Sequence, residues 1–346
     1  MYELKRIWIK RVPADKKAWE DLLVLGGLVP DEQVDYTVGL YDRNKLVATG
    51  STYQNIIKLV AVDPEYQSEN LLTKIVMALS SKLHDEGIIH FFLYTKPCVA
   101  VSFASLGFKE IIRTDTILFM EQGSPDFSDY LALLESRKRD ADHAGAIVMN
   151  ANPFTKGHLY LVETAAAQVD VLYLFVLSDD RSEFSTEERS TLVKAGTQHL
   201  PNVVILPTRD YQVSSATFPS YFLKDQAVES IARVQAALDA TLFKERIAPA
   251  LQIKTRFVGE EPLSPVTEVY NESMREIFSD TLALTVVPRI ELDGQVISAT
   301  RVRKALKEDD FQTIKKLVPA TTYLYLIENY GKINRGEKKW KLKNMQ

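Results

Sequence analysis

Along the second half of the chain, short apolar runs alternate with amphipathic stretches. Residues 144–149, 171–177 and 203–206 read as buried strands, and 157–168 and 186–199 carry helical spacing between them. Residues 253–259 and 284–287 supply further strands, and 301–307 a short helix. Strand and helix in alternation predict a parallel sheet wrapped by helices. The first half reads differently. Residues 36–41 and 46–53 flank Asp42-Arg43-Asn44-Lys45, a hairpin turn, and 56–62 form a third, β-branched strand. Asp63-Pro64 breaks it, after which 68–83 places Leu71, Leu72, Ile75, Val76, Leu79 and Leu83 at helical spacing. Gly87 ends that helix. A strand at 88–94, a short helix at 103–108 and a strand at 116–120 complete a mixed α+β order.

Turn chemistry at Gly123-Ser124-Pro125-Asp126 marks the boundary between these two patterns. The expected organisation is a first domain over 1–125, a connecting helix and linker over 126–143, a second domain over 144–330 and a basic tail over 331–346. The run Arg137-Lys138-Arg139-Asp140 in the linker reads as a solvated face. The tail carries Lys332, Arg335, Lys338, Lys339, Lys341 and Lys343 against Glu337 and reads as a frayed basic end.

Composition narrows the function classes. The chain has 346 residues, 46% hydrophobic and 25% charged, which is ordinary for a two-domain globular protein. Forty-two Lys and Arg against 46 Asp and Glu leave a net charge of −4, which argues against a general nucleic-acid binder. The lone Cys98, expected as a small buried residue, excludes a disulfide framework and a cysteine-rich metal site. The first residues lack the apolar core of a signal peptide, and no apolar run is long enough to span a bilayer. A cytoplasmic enzyme with no membrane partner is the expectation.

Two stretches carry the chemistry. Asn152-Pro153-Phe154-Thr155-Lys156-Gly157-His158 follows a buried strand and leads into a helix, the place where an α/β sheet holds phosphate. Thr155 and His158 bracket the helix start, so a hydroxyl, an imidazole and free amides can converge there. Gly157 permits close backbone approach, and Lys156 is either a surface lysine or an added charge. The second stretch, Ile297-Ser298-Ala299-Thr300-Arg301-Val302-Arg303, offers two hydroxyls at a helix start and a guanidinium one turn in, groups that grip polyphosphate. Gly259-Glu260-Glu261-Pro262 and Ser178-Asp179-Asp180 follow strands at the ligand-binding edge. Residues 217–224 are an aromatic-rich helix start ending in Lys224. Arg209-Asp210-Tyr211 ends another strand and is a candidate either for contact with an acyl acceptor or for an ion pair. No metal-ligand cluster is evident. Mg²⁺ would be held mostly through a bound polyphosphate and water.

The paired stretches resemble the TxGH variant of the HxGH signature and the ISxTxxR signature of the nucleotidyltransferase superfamily. The resemblance implies attack on the α-phosphate of ATP with loss of pyrophosphate. Thr155 and His158 would act at the reacting phosphate and Arg303 on the leaving group. Asn152, Phe154, Lys156, Gly157, Gly259, Glu260, Ser298 and Thr300 would line the nucleotide. The strand at 57–62, the turn Gln67-Ser68-Glu69-Asn70-Leu71-Leu72 and Leu106-Gly107-Phe108 resemble the Gcn5-related N-acetyltransferase (GNAT) fold. Asn70 and Leu72 depart from it, standing where that family places small residues beside the pyrophosphate of acetyl-CoA. The implied fold class is α/β, a GNAT-like α+β domain followed by a Rossmann-like nucleotidyltransferase domain with a parallel sheet.

The combination resembles the citrate lyase ligases over nearly the whole chain. Segments 147–155, 194–197, 216–224, 257–262 and 297–303 carry the match. Membership implies that acetate attacks ATP to give acetyl-AMP and pyrophosphate. The thiol of a dephospho-CoA-type prosthetic group on the lyase acyl carrier subunit then takes the acetyl group and releases AMP. The rivals are an adenylyltransferase acting on a phosphopantetheine-like molecule, an acetyl-CoA-dependent acetyltransferase and a non-catalytic nucleotide sensor.

Overall fold

The computed structural model describes residues 2–178, 182–211, 228–260, 265–279, 281–292 and 294–331. Asp179, Asp180, Glu261, Pro262, the 217–224 segment and the tail from Lys332 lie outside the described residues. By compactness the chain divides into two units, 1–133 with 213–243, and 134–212 with 244–346. The division falls inside the expected connecting helix.

The front unit opens with β1 (Glu3–Arg6), α1 (Pro13–Leu25), β2 (Tyr36–Asp42), β3 (Lys45–Tyr53) and β4 (Ile56–Val62). It continues through α2 (Leu71–Asp85), β5 (His90–Thr95), α3 (Ala100–Ala104), β6 (Lys109–Arg113), β7 (Leu118–Gly123) and α4 (Phe127–Ser136). Among the described residues these strands form a seven-stranded sheet in the order β1-β2-β3-β4-β5-β7-β6. One face packs under α2, where Ile75, Val76 and Leu79 meet Val47, Ile57, Phe91 and Leu93. The other packs under α1 through Trp19, Leu22 and Leu23. This is the expected GNAT-like order. β1, α1 and β6 escaped the hydrophobic pattern: β1 is exposed along its length and carries no alternation to read.

The helix expected from 68 begins instead at Leu71. Asn70 adopts a left-handed conformation, with φ 58° and ψ 25°, after a tight turn at Pro64–Glu69. Asn tolerates that region better than other residues with a side chain. Its presence where GNAT proteins carry a small residue therefore has a backbone reason. Cys98 is exposed, not buried as expected. It sits in the short turn Pro97–Val99 that leaves β5, past the end of the packed sheet.

The rear unit contains β8 (Ala144–Met149), α5 (Lys156–Ala166), β9 (Val171–Val176), α6 (Thr186–Thr197) and β10 (Val203–Pro207). The next helix, α7 (Val228–Leu242), is grouped with the front unit and packs on β6. Then follow α8 (Ala248–Leu251), β11 (Ile253–Gly259), α9 (Pro265–Phe278), β12 (Ala283–Val287), β13 (Glu291–Leu292) and β14 (Gln295–Val296). Three helices close the described chain: α10 (Ala299–Lys307), α11 (Phe311–Leu317) and α12 (Ala320–Tyr330). Among the described residues the sheet is five-stranded and parallel, in the order β10-β9-β8-β11-β12. This is the expected Rossmann-like arrangement. The chain runs outward from β8 through β9 to β10, then returns to the other side of β8 for β11 and β12. The switch point lies between β8 and β11, where ligands bind at the strands' carboxyl ends. No helix among the described residues is long and apolar enough to cross a membrane.

The core of the rear unit reaches the first signature. Phe154 is fully buried among Ile147, Val162, Leu192 and Phe257. Gly196 on α6 exists to admit it: a Cβ there would stand 2.5 Å from Phe154 Cε1. Gly196→Ala is therefore expected to overpack this contact and cost about 1–3 kcal/mol, read as a lowered urea midpoint.

Candidate functional site

The loop after β8 is shaped by backbone conformation and by what its polar groups bond. Ala151 takes φ 50° and the Asn152–Pro153 peptide is cis. Asn152 Oδ1 accepts from the Phe184 amide at 3.1 Å, tying the loop to the segment before α6. Arg189 on α6 is fully buried. It donates to the carbonyls of Asn150, Leu177 and Phe184 at 3.1, 2.6 and 3.1 Å, so one guanidinium gathers the ends of β8 and β9. The sequence reading missed it, because a buried Arg that serves carbonyls leaves no motif.

Thr155 caps α5. Its Oγ1 accepts from the His158 amide at 3.3 Å, and the Thr155 amide donates to His158 Nδ1 at 3.0 Å. Such a reciprocal cap satisfies two of the donors that a helix start leaves open. It also sets the tautomer: with Nδ1 accepting, the neutral ring carries its proton on Nε2. Burial, reinforced by the positive charge of Arg289, pushes the His158 pKa down to about 4. His158 is thus a neutral Nε2–H donor near pH 7. Its ring stacks on Phe154 with centroids 5.8 Å apart and planes within 14°.

The second signature caps α10 from one side only, with Ser298 Oγ accepting from the Arg301 amide at 3.4 Å. Arg303 Nη1 donates to the Asn152 carbonyl at 2.6 Å and Nη2 to Thr300 Oγ1 at 3.0 Å. Its Nε lies 3.7 Å from Glu183 Oε2. Gly157 completes the junction. A Cβ there would stand 3.1 Å from the Ile297 carbonyl, so its smallness admits the second stretch against the first.

Between the two turns lies a cavity of about 270 Å³ at the carboxyl ends of β8, β11 and β12. Thr155, Gly157, His158, Gly259, Ser298 and Thr300 border it. Asn152, Phe154, Lys156, Glu260 and Arg303, also expected at the nucleotide, do not. Phe154 is in the core and Asn152 is engaged within its own loop. Lys156 Nζ reaches the Lys315 carbonyl at 3.5 Å, and the Glu260 carbonyl accepts from Arg289 Nε at 2.6 Å. Arg303 here fastens the two turns together. Arg289, absent from the sequence reading, borders the cavity beside His158. The rule that singled out Gly259 applies to it equally, since it lies two residues past the end of β12. Among the described residues no group of three or more His, Cys, Asp or Glu is placed to hold a metal. Tyr211 is buried.

The front unit has a larger cavity, about 690 Å³, where its sheet parts. β4 and β5 are parallel and pair only at Ile56–Phe92 and Ile57–Leu93. Beyond that point Lys58–Val62 and Leu93–Lys96 line opposite walls, with Asn70, Leu72, Cys98 and Ser102 at the opening. Leu59 bulges there with φ 56°.

Comparison with known proteins bears on both units. Residues 144–326 match the citrate lyase ligase C-terminal domain. The [citrate [pro-3S]-lyase] ligase of Klebsiella pneumoniae is 37% identical over 94% of this chain and 96% of its own length. That of Escherichia coli K12 is 36% identical over 86% of this chain and 87% of its own.

The chain belongs to the citrate lyase ligase family.

The Haemophilus influenzae member is likewise 37% identical, over 86% of this chain and 90% of its own. Among solved structures, the E. coli ribosomal-protein-S18-alanine N-acetyltransferase is 20% identical. It covers 36% of this chain and 94% of its own, with TM-score 0.30.

The His158 environment makes stability depend on pH. Below about 6.5 the unfolded chain takes up a proton on this ring, whereas the folded chain resists until about 4. The unfolded state therefore binds more protons in that window, and stability falls as pH drops through it. The melting temperature of His158→Gln is expected to fall less than that of the unaltered chain between pH 7.5 and 5.

Proposed function

We propose that this chain is an ATP-dependent ligase that acetylates the prosthetic-group thiol of the citrate lyase acyl carrier subunit, in the cytoplasm. The observation that carries the reading is the meeting of two capped helix starts, Thr155 and Ser298, around one cavity at the switch point of a parallel sheet. Amides and hydroxyls at such starts favour anions, and family membership supports acetate as the acid and the carrier thiol as the acceptor. In the first step, acetate attacks the α-phosphate and pyrophosphate departs. Acetate is already ionised near neutral pH, so no base is required. Thr155 and neutral His158 donate to the α-phosphate, where fixed donors act without reorganising. Ser298 and Thr300 hold the outer phosphates, and Arg303 fixes the two turns from outside the cavity. Gly259 leaves room beside the nucleotide. Mg²⁺ enters with ATP, as part of the substrate. In the second step the carrier thiol takes the acetyl group and AMP leaves.

We assign the front cavity to the CoA-like arm of that prosthetic group. Where the strands part, their backbone edges face the cavity and suit the amides of a pantetheine chain. Asn70 at the start of α2 stands where its diphosphate would lie. The corresponding organisation is an arm-holding front domain over 1–125 and a catalytic domain over 144–330.

The chain is to be mixed with ATP, Mg²⁺, acetate and deacetylated citrate lyase, while AMP, pyrophosphate and recovered lyase activity are followed. All three are expected to rise together. A product that retains AMP would identify an adenylyltransferase instead, and loss of all three signals with ATP still bound would overturn the reading. For the arm, Ser102→Trp at the exposed rim of the front cavity is expected to weaken dephospho-CoA binding by at least about tenfold. Calorimetry on the full chain reads that change, and acetate-dependent pyrophosphate exchange should stay the same.

A further inference from the structure

Joining a carboxylate to a phosphate brings two anions together, and the first step proposed above must overcome their repulsion. His158 cannot supply charge, because it is neutral. Arg303 does not border the cavity. Lys156 does not border it either. Among the described residues that line this cavity, Arg289 is the only lysine or arginine.

The placement of Arg289 is built. Its Nε donates to the Glu260 carbonyl at 2.6 Å, and the Glu260 amide donates to the Val287 carbonyl at 2.9 Å. The ends of β11 and β12 thus hold the guanidinium by its stem. A half-buried guanidinium fixed at Nε keeps its planar fork in one orientation, which suits a carboxylate better than a flexible ammonium does. Ile290 and Ile297 line the same cavity and provide apolar surface for a short acyl chain. Arg289 and His158 line the same cavity, and the guanidinium charge disfavours protonation of the ring.

We propose that Arg289 is a catalytic residue that binds the carboxylate of acetate and delivers it to the α-phosphate beside His158. This rests on the ligase reading and names the acyl subsite within it. A carboxylate oxygen forms the new bond to the α-phosphorus as the bond from that phosphorus to the bridging oxygen breaks. The electron pair leaves with pyrophosphate and no proton moves. The guanidinium offsets the repulsion as the two anions meet and remains on the acyl phosphate formed.

The test uses the full chain with Arg289→Gln and Arg289→Lys, measuring acetate-dependent exchange of pyrophosphate into ATP. In Arg289→Gln the KM for acetate is expected to rise roughly ten- to hundredfold, the loss of a charge-assisted hydrogen bond. kcat should fall by about 10²–10³, with ATP affinity, measured by calorimetry, within about threefold of the unaltered chain. The His158 pKa, followed by NMR, should rise as the neighbouring charge is removed. Arg289→Lys keeps the charge without the fork, and its acetate KM should lie between the other two. It also carries the test should the Gln variant not fold. An unchanged acetate KM in a folded variant, or a loss of ATP affinity as large as the loss for acetate, would overturn the role of Arg289. Absence of acetate-dependent exchange in the unaltered chain, with ATP bound, would instead remove the ligase reading itself.

Discussion

The bond from Arg303 to the Asn152 carbonyl, beside the close approach of Ile297 to Gly157, is the constraint on which the site depends. Each of the two turns is an ordinary capped helix start, able to attract an anion but not to select one. Held together, they enclose a cavity with donors on two sides. The Arg303 bond is charge-assisted and stabilises by roughly 1.5–3 kcal/mol, and its fork also aligns Thr300. The contact at Gly157 demands a residue without Cβ for a packing reason, in addition to any approach of phosphate.

Electrostatics divides the work within that cavity. Desolvation keeps His158 neutral, so its Nε2–H can serve as a donor without adding charge to the cavity. Charge is supplied by Arg289, whose stem is fixed by the ends of two strands. Beneath both, Arg189 organises the carboxyl ends of β8 and β9 from inside the core. Glu188, next to it, accepts from the hydroxyls of Tyr325 and Tyr330 at 2.9 and 2.8 Å, which anchors α12 on α6. The late helices thus brace the framework that carries the first signature.

Most of the sheet was legible in the pattern of apolar residues. The run at 253–259 became β11 with the same bounds, and 56–62 became β4. Elements that were missed have physical reasons. β1 is exposed on both faces and has no alternation, while β13 and β14 are two residues each, too short to show a period. The start of α2 moved because Asn70 is left-handed, a backbone state that periodicity does not report. Phe154 stood within a functional motif yet serves the core, since a motif shows which residues recur together and not which way each faces.

The sequence by itself determined the fold class, the two capped turns and the kinship they carry, because caps and strand periods are local and are written in neighbouring residues. Tertiary structure decided which of those residues share a cavity. It placed Thr155, His158, Ser298 and Thr300 around one space, left Phe154, Asn152 and Lys156 outside it, and brought in Arg289. It also fixed the proton of His158 and the parting of β4 from β5. Each of these depends on contacts between residues far apart in the chain, and spacing along a sequence carries no information about them until the sheets have closed.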